Sequence, residues 1–464
     1  MLLEAAEPQS LAAALTEAAP AGLLDAVPGA RTLLVLFDPE RFDPSRLASL
    51  RPSARAAEPR TVRLRAVYDG ADLDAVAAEL GMSADEVVRR HAEAEHRVAF
   101  LGFAPGFAYM TGGLPVPRLR TPRVRLPAGS VAVADGYTAV YPAESPGGWR
   151  LLGRVAERMF DPTASPPSLL RPGDRVVFEP AKELPELPPL RLPAARGEPV
   201  LRLLAPGPMT TVQGGPRYGL AAFGVPAGGA MDLASLAAAN ALAGNPPLAA
   251  GLEITLAGPE LEALADLRIA LRGELLSLRR GERLRSGPVR RGVREYLAVE
   301  GGLEPPLPGL PLHPLRSGDL LRLAEGPEKK NNYFFSARRP PSLPAETNRE
   351  IRAMRGPQWD AFAGPERFFS TEWIVSPQSD RRGVRLQGPP LALVRAADVP
   401  PEGTAPGAVQ VPGDGQPIAL GPDRPVTGGY AKIATVIWAD LPLLAQARPG
   451  ARLRFREVTL AEAL

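Results

Sequence analysis

Residues 97–153 read RVAFLGFAPGFAYMTGGLPVPRLRTPRVRLPAGSVAVADGYTAVYPAESPGGWRLLG. Glycine and proline are clustered here, at Gly102, Pro105, Gly106, Gly112, Gly113, Pro127, Gly129, Pro146, Gly147 and Gly148. Short β-prone runs stand between them, such as 131–133 and 138–141. Glycine permits positive φ and close backbone approach, and proline pre-sets turns. Aromatic residues occupy the intervals: Phe103, Phe107, Tyr109, Tyr141 and Trp149. The stretch therefore predicts tight loops around a small β-barrel, with ordinary hairpin turns as the plainer alternative.

An internal repeat favours the barrel. Val124-x-x-Pro127-x-Gly129, then Gly147-Gly148-Trp149, then RPGDRVVF (171–178) occur in that order in the first half. Val409-x-x-Pro412-Gly413, then Gly428-Gly429-Tyr430, then RPGARLRF (448–455) follow the same order near the C-terminus. RSGDLLRL (316–323) resembles the trace of a third copy. Three elements in one order predict related β-barrel modules, each closing on the same final strand.

The rest of the chain arranges itself around these modules. Residues 10–18 and 72–80 carry helical patterns, with Asp72 a candidate cap, and Ser83-Ala-Asp-Glu86 opens another helix as a capping box. Residues 31–37 and 62–68 read as strands. A helix over 231–243 starts at Asp232 and stops at Gly244. The expected fold is mainly β with α+β: a small α+β domain at 1–85, a barrel at 86–180 and a proline-rich linker at 181–199. A first barrel module of the second half at 200–325, a linker or mobile loop at 326–350 and a second barrel module at 351–464 complete it.

Composition narrows the function classes. The chain has 464 residues, 45% of them hydrophobic and 23% charged, which fits a globular protein of several domains. No apolar run reaches the roughly 18 residues of a membrane span. The N-terminus MLLEAAEPQS lacks an export signal, so the expected location is cytoplasmic. The net charge is only +3 with scattered arginines, which argues against nucleic acid. Absence of cysteine excludes disulfides, thiolate metal sites and cysteine nucleophiles. The sequence also lacks a GxxxxGK loop, an HExxH, a Gly-x-Ser-x-Gly elbow and the Met-Lys-Met of a biotin carrier, so no covalent biotin is expected. Its histidines are His91, His96 and His313, a poor basis for a zinc site.

Candidate chemistry lies in loops. Ala128-Gly129-Ser130 offers a hydroxyl and adjacent N–H groups, either as an anion cradle or as a hairpin turn. His91, at a helix C-terminus, is a candidate general base or a simple dipole partner. Thr210-Thr211-Val212-Gln213 brings hydroxyls and an amide to a glycine-rich loop, and Asp232 brings a carboxylate to a helix start, where capping is the alternative. Gln410, Tyr430 and Lys432 gather near the second repeat. Lys432 lies inside a β-like apolar run, where a desolvated ammonium can hold phosphate or carboxylate, or transfer protons.

These loops also carry a family resemblance. GFAPGFAYM (102–110), PRVRLPAGSVAVA (122–134) and YPAESPGGWRLLGR (141–154) resemble the proteins termed allophanate hydrolase subunit 1, or KipI-like. GPMTTVQ (207–213), GVPAGGAMD (224–232), LEITLAGP (252–259), SDRRGVRLQGP (379–389), GAVQVPGDGQPIAL (407–420) and TGGYAKIATVIWADL (427–441) resemble subunit 2, or KipA-like. The chain looks like a natural fusion of the two, similar to the B and C subunits of the ATP-dependent 5-oxoprolinase and to the carboxyltransferase region of urea carboxylase.

The resemblance implies a cyclophilin-like barrel fold and opening of the 5-oxoproline lactam to glutamate. It implies ATP, with Mg, as the energy source and the separate A subunit of a 5-oxoprolinase for a partner; homo-oligomers fit the same picture. The family positions are His91, Gly106, Ser130, Gly148, Trp149, Gln213, Asp232, Glu253, Gln410, Tyr430 and Lys432. Of these, His91, Ser130, Asp232, Tyr430 and Lys432 are the catalytic candidates and the others bind substrate. A biotin-dependent carboxyltransferase and a KipI-like histidine-kinase inhibitor are the alternative functions. One departure stands out: the family commonly has Asp after TTVQ, where this chain has Gly214. A shared site is expected, with the Ser130 and 147–149 loops as one rim and 410–432 as the other.

Overall fold

The computed structural model describes residues 1–52, 60–310, 314–325, 349–394 and 398–463. His313 and nearly all of the linker expected at 326–350 lie outside them. The N-terminal unit is a three-stranded antiparallel sheet (Leu2–Glu4, Thr32–Phe37, Leu23–Pro28) covered by the helix Pro8–Ala18. Leu15, Leu33, Val35 and Phe42 form its core.

The first barrel begins earlier than expected, at residue 61 instead of 86. Its strands are β1 (Thr61–Val67), β2 (His96–Leu101), β3 (Ala108–Met110), β4 (Ser130–Ala134), β5 (Tyr137–Val140), β6 (Arg150–Val155) and β7 (Arg175–Pro180). They close as a ring in the order β6-β1-β7-β2-β3-β5-β4, and β1 runs parallel to β7. β1 belongs here because its partners are β6 and β7, more than 80 residues downstream. Helices Leu73–Leu80 and Ala84–Glu93 lie between β1 and β2, and Ser83 caps the second by accepting from Glu86 N at 3.2 Å. Asp72 makes no cap bond. Its carboxylate takes both Arg123 guanidinium nitrogens at 2.7 and 2.8 Å and Leu151 N at 2.7 Å, fastening the helix pair to the barrel wall.

The second barrel repeats this topology strand for strand: β8 (Arg349–Arg355), β9 (Glu372–Val375), β10 (Gly383–Gln387), β11 (Ala408–Val411), β12 (Ile418–Leu420), β13 (Thr427–Val436) and β14 (Arg452–Glu457). The ring runs β13-β8-β14-β9-β10-β12-β11, again with one parallel pair, β8 and β14. An extra strand, Asp398–Gly403, lies on the edge of β13. The RPGx turn is the same in both barrels: Gly173 N donates to Val98 O and Gly450 N to Val375 O, each at 2.8 Å, with φ of +89° and +81°.

The ladder corrects one part of the repeat. Pro127-Ala-Gly129 precedes β4, whereas Pro412-Gly413 follows β11. The true counterpart of Gly129 is Gly407. Gly129 N donates to Tyr141 O (2.7 Å) and its carbonyl accepts from Val155 N (2.9 Å); Gly407 does the same with Leu420 and Val436, both at 2.8 Å.

Between the barrels, residues 199–325 form a four-stranded and a five-stranded sheet that share one core, including Leu201, Leu261, Ile254, Ile269 and Leu297. Among the described residues, the barrel expected at 200–325 is thus two sheets on one core without ring closure. Only its last turn follows the barrels, with Gly318 N donating to Leu203 O at 2.8 Å. Helix Leu233–Leu242 packs outside on Tyr296 and Ala298. Among the described residues no helix is long and apolar enough to cross a membrane.

Candidate functional site

Side chains alternate across a strand, so each barrel has an inner and an outer face. In the first barrel the inner face is aliphatic: Leu64, Val98, Leu101, Val131 and Val140. Its outer face carries Phe100, Phe107, Tyr109, Tyr141 and Trp149 as one buried cluster. Phe100 stacks on Tyr109 at 4.4 Å, and Trp149 meets Phe107 and Tyr109 edge-on at 5.5 and 5.6 Å. Burial pushes the Tyr109 phenol up to about 12 and raises that of Tyr141 as well.

The corresponding outer face of the second barrel is polar. Lys432 of β13 is 4% exposed, and its Nζ lies 2.6 Å from Glu402 Oε1. The ammonium also donates to Tyr430 O at 3.2 Å. Gln358 ties the group together: its Nε2 donates to Glu402 Oε1 (2.8 Å) and its Oε1 accepts from Lys432 N (3.0 Å). Gln410 is the cross-strand partner of Lys432. Burial holds the lysine below its usual range while Glu402 opposes that shift. By ladder register, Lys432 corresponds to Leu151 and Gln410 to Ala132 of the first barrel. The equivalent face is apolar in one barrel and ionic in the other.

The two faces meet. Phe103 N donates to Thr427 Oγ1 at 3.0 Å, and Tyr109 is hydrogen-bonded to the same side chain. Residue 102 must be glycine, since a Cβ there would stand 1.8 Å from Thr427 Oγ1. The N-terminal sheet closes a third side, with Ala30 N donating to Pro401 O beside Glu402 at 2.7 Å. The aromatic cluster of Tyr109 and Trp149 thus meets Thr427, which shares strand β13 with Tyr430 and Lys432.

Other sequence candidates lie elsewhere. His91 is fully buried, with Nδ1 2.8 Å from Tyr68 Oη and Nε2 3.2 Å from Thr138 Oγ1. Both ring nitrogens are engaged, and burial holds the imidazole neutral. Ser130 Oγ donates to Pro127 O at 2.8 Å, closing its own turn. Gly148 O accepts from Leu119 N at 2.7 Å. Gly106, at φ +80°, donates its N–H to Phe223 O of the middle unit at 2.9 Å.

Gln213, Asp232 and Glu253 belong to a second polar centre, between the middle unit and the second barrel. Gln213 Nε2 donates to Thr211 Oγ1 at 3.3 Å, and Thr211 is the cross-strand partner of Glu253. Glu253 is buried and accepts from Met231 N (2.8 Å), Tyr296 Oη (2.7 Å) and Arg381 (2.6 Å). Arg381 and Arg294 keep it ionised against the opposing effect of burial. Asp232 caps its helix through Ser235 N at 3.0 Å and accepts from Gln446 Nε2 at 2.9 Å. Gln446 also accepts from Val293 N and Arg294 N, each at 3.0 Å. Gly214, the family's Asp position, lies close against Leu248 O.

Sequence reasoning missed Glu402, Gln358, Arg381 and Gln446. Arg381 stood within a quoted motif, but the other three had no spacing signal, because their partners are 30 to 214 residues away. A cavity of about 400 Å³ opens between the middle unit and the second barrel, and none of the Lys432 group lines it.

Two sequence profiles match this chain: carboxyltransferase domain, subdomain C and D, over residues 4–170, and carboxyltransferase domain, subdomain A and B, over residues 223–457. The C subunit of the Escherichia coli (strain K12) 5-oxoprolinase is 35% identical over 301 residues, covering 57% of this chain and 93% of that protein. The B subunit of the Escherichia coli O157:H7 5-oxoprolinase is 41% identical over 174 residues, covering 35% of this chain and 79% of that protein. The crystal structure of TTHA0988 superposes with a TM-score of 0.84 at 38% identity, covering 98% of this chain and 99% of the other. The mainly β, cyclophilin-like fold expected from the motifs agrees with this neighbour and with the two seven-stranded rings.

Proposed function

The chain belongs to the carboxyltransferase-domain family, with its C/D part first and its A/B part second, and from that premise we propose that it is the fused B and C subunits of a 5-oxoprolinase. In this reading it opens the lactam of 5-oxoproline to L-glutamate, with ATP as energy source and a separate A-type subunit for a partner. The observation that carries it is the junction of two equivalent barrel faces, one aromatic and one holding the buried Lys432–Glu402 pair.

5-Oxoproline has a five-membered ring with an apolar flank, an amide oxygen and a carboxylate. The cluster around Trp149 and Tyr109 suits the ring, and Lys432 supplies a desolvated donor to the lactam oxygen, which gains negative charge as a nucleophile adds to the carbonyl carbon and the C=O π pair moves onto oxygen. Glu402 keeps that donor protonated, while Tyr430 and Gln410 flank it. Gly106 and Gly148 shape the loops, and His91, Ser130, Asp232, Gln213 and Glu253 hold the framework. Among the described residues no group of three His, Cys, Asp or Glu side chains is placed to hold a metal ion. The chain also has no glycine-rich loop ending in lysine.

The test is reconstitution. With an A-type subunit shown to be competent with its own B and C subunits, this chain should release glutamate and phosphate from 5-oxoproline and ATP. No turnover in that mixture refutes the reading. A second reading, carboxyl transfer to a urea-like or amide substrate from a separate biotin carrier, is favoured by the family's own description. Turnover that needs bicarbonate and a biotinylated carrier, and that avidin blocks, would establish it instead.

A further inference from the structure

Strand β13 is paired on both sides where it passes the Lys432 group, and its residues 428, 430 and 432 share one face. Glu402 is the cross-strand partner of Gly428 on one side, and Gln410 is that of Lys432 on the other. Gly428 has no side chain, so a gap lies over it between Glu402 and Gln410. A methyl group there would stand 3.4 Å from Thr404 Cγ2 and 3.6 Å from Gln410 Oε1, both ordinary contact distances. Gly428, Gly429, Tyr430 and Gln410 are only half-buried, so the gap opens to solvent.

Three polar groups around it keep hydrogen-bonding capacity that the protein does not use. The Lys432 ammonium has three N–H groups, and Glu402 Oε1 (2.6 Å) and Tyr430 O (3.2 Å) take two of them. Glu402 Oε1 also accepts from Gln358 Nε2 at 2.8 Å. Glu402 Oε2 has no partner among the described residues, yet it is not sealed from solvent. The Gln410 carboxamide likewise has no partner among the described residues. One ion pair thus holds a free donor and a free acceptor side by side.

We propose that the gap over Gly428 takes an amide edge-on, with Glu402 Oε2 accepting its N–H while Lys432 donates to its oxygen, so that Glu402 selects the substrate's nitrogen. The assignment rests on the lactam reading above and deepens it. A five-membered ring forces its amide cis, which puts N–H and C=O on one edge, where an adjacent acceptor and donor can meet both. A trans peptide bond points them to opposite sides and cannot engage the pair in this way.

Isothermal titration of the full chain tests it, with 5-oxoproline against 3-oxocyclopentane-1-carboxylate, in which CH2 replaces the ring N–H. The native chain should bind 5-oxoproline at least about tenfold more tightly, because the ketone covers Glu402 Oε2 without giving it a donor. In Glu402→Gln, Gln358 and Lys432 both donate to the Oε1 position, so the amide oxygen is held there and the NH2 group takes the Oε2 position. A donor then faces the ring N–H, and the preference should vanish or reverse, which a loss of packing alone would not produce. Gly428→Ala, whose methyl meets only ordinary contacts, should weaken 5-oxoproline binding at an unchanged Tm, and it covers the case in which Glu402→Gln does not fold. Equal binding of the two probes by the native chain, no binding of either, a preference kept in Glu402→Gln, or unchanged affinity in Gly428→Ala overturns the assignment. Any of these results alongside turnover of 5-oxoproline in the reconstituted mixture leaves the lactam reading standing and removes this assignment alone.

Discussion

Replacing Glu402 by glutamine tests whether Lys432 is a charged group held in a desolvated place. The Nζ–Oε1 separation is 2.6 Å and both side chains are nearly buried. At an effective dielectric of about 20, unit charges that close attract by about 6 kcal/mol, and removing one member of a buried pair typically costs about 3–5 kcal/mol. Glutamine preserves shape and an acceptor for Gln358, so the loss is mainly of charge. The lysine can relieve most of the cost by releasing its proton, which should move its titration midpoint further down.

The sign for stability follows from linkage. A lysine whose folded pKa lies below its unfolded value destabilises the fold at low pH. Stability of the variant should therefore rise with pH between the folded midpoint and the ordinary lysine value. Lysine-selective NMR is practical because the chain has four lysines: Lys182, Lys329, Lys330 and Lys432. In the native protein one signal should titrate below the rest, Lys432→Arg should remove it, and Glu402→Gln should shift it lower still. Four lysines that titrate together, or a low signal indifferent to Glu402→Gln, would refute the reasoning.

Three further outcomes are expected. Burial raises the Asp25 carboxyl to about 6, so its ionisation destabilises the fold as pH rises from about 4 through 6. Asp25→Asn should then stabilise by up to about 3 kcal/mol at pH 8, with the gain vanishing below pH 4, as read by denaturation at both pH values. Gln446→Leu leaves the N–H groups of Val293 and Arg294 without their acceptor and takes one of the donors from Asp232, and should cost about 3 kcal/mol, visible as a lower Tm. Gly102→Ala should also lower Tm by forcing Thr427 away, whereas Gly413→Ala, with nothing within 4 Å of its added methyl, should leave it unchanged.

Local signals in the chain were reliable where the physics is local. Ser83 with Glu86 opened a helix, the helix near 233–242 began at Asp232, and the RPGx turns preceded β7 and β14. Such features depend on φ preferences and on hydrogen bonds spanning three or four residues. Asp72 shows the limit of this reasoning. Beside a helix start it resembles a cap, yet Arg123 and Leu151 N, 51 and 79 residues away, offer its carboxylate more. The same limit misplaced the first barrel's boundary, because β1 is an ordinary strand until β6 and β7 pair with it.

The opening stretch, 97–153, thus carried the barrel and its repeat in its own glycines and apolar runs. Turn chemistry and strand alternation are properties of neighbouring residues. The sequence alone also marked Trp149, Tyr430 and Lys432. Only the tertiary structure decided that Gly407 is the counterpart of Gly129, that 199–325 forms two sheets without a ring, and that Glu402 and Gln358 surround Lys432. It also separated His91 and Ser130 from the junction of the barrels. Those outcomes depend on which strands pair and which buried charges find partners across long stretches of chain. Burial sets their energies, and burial exists only once the barrels have closed and docked.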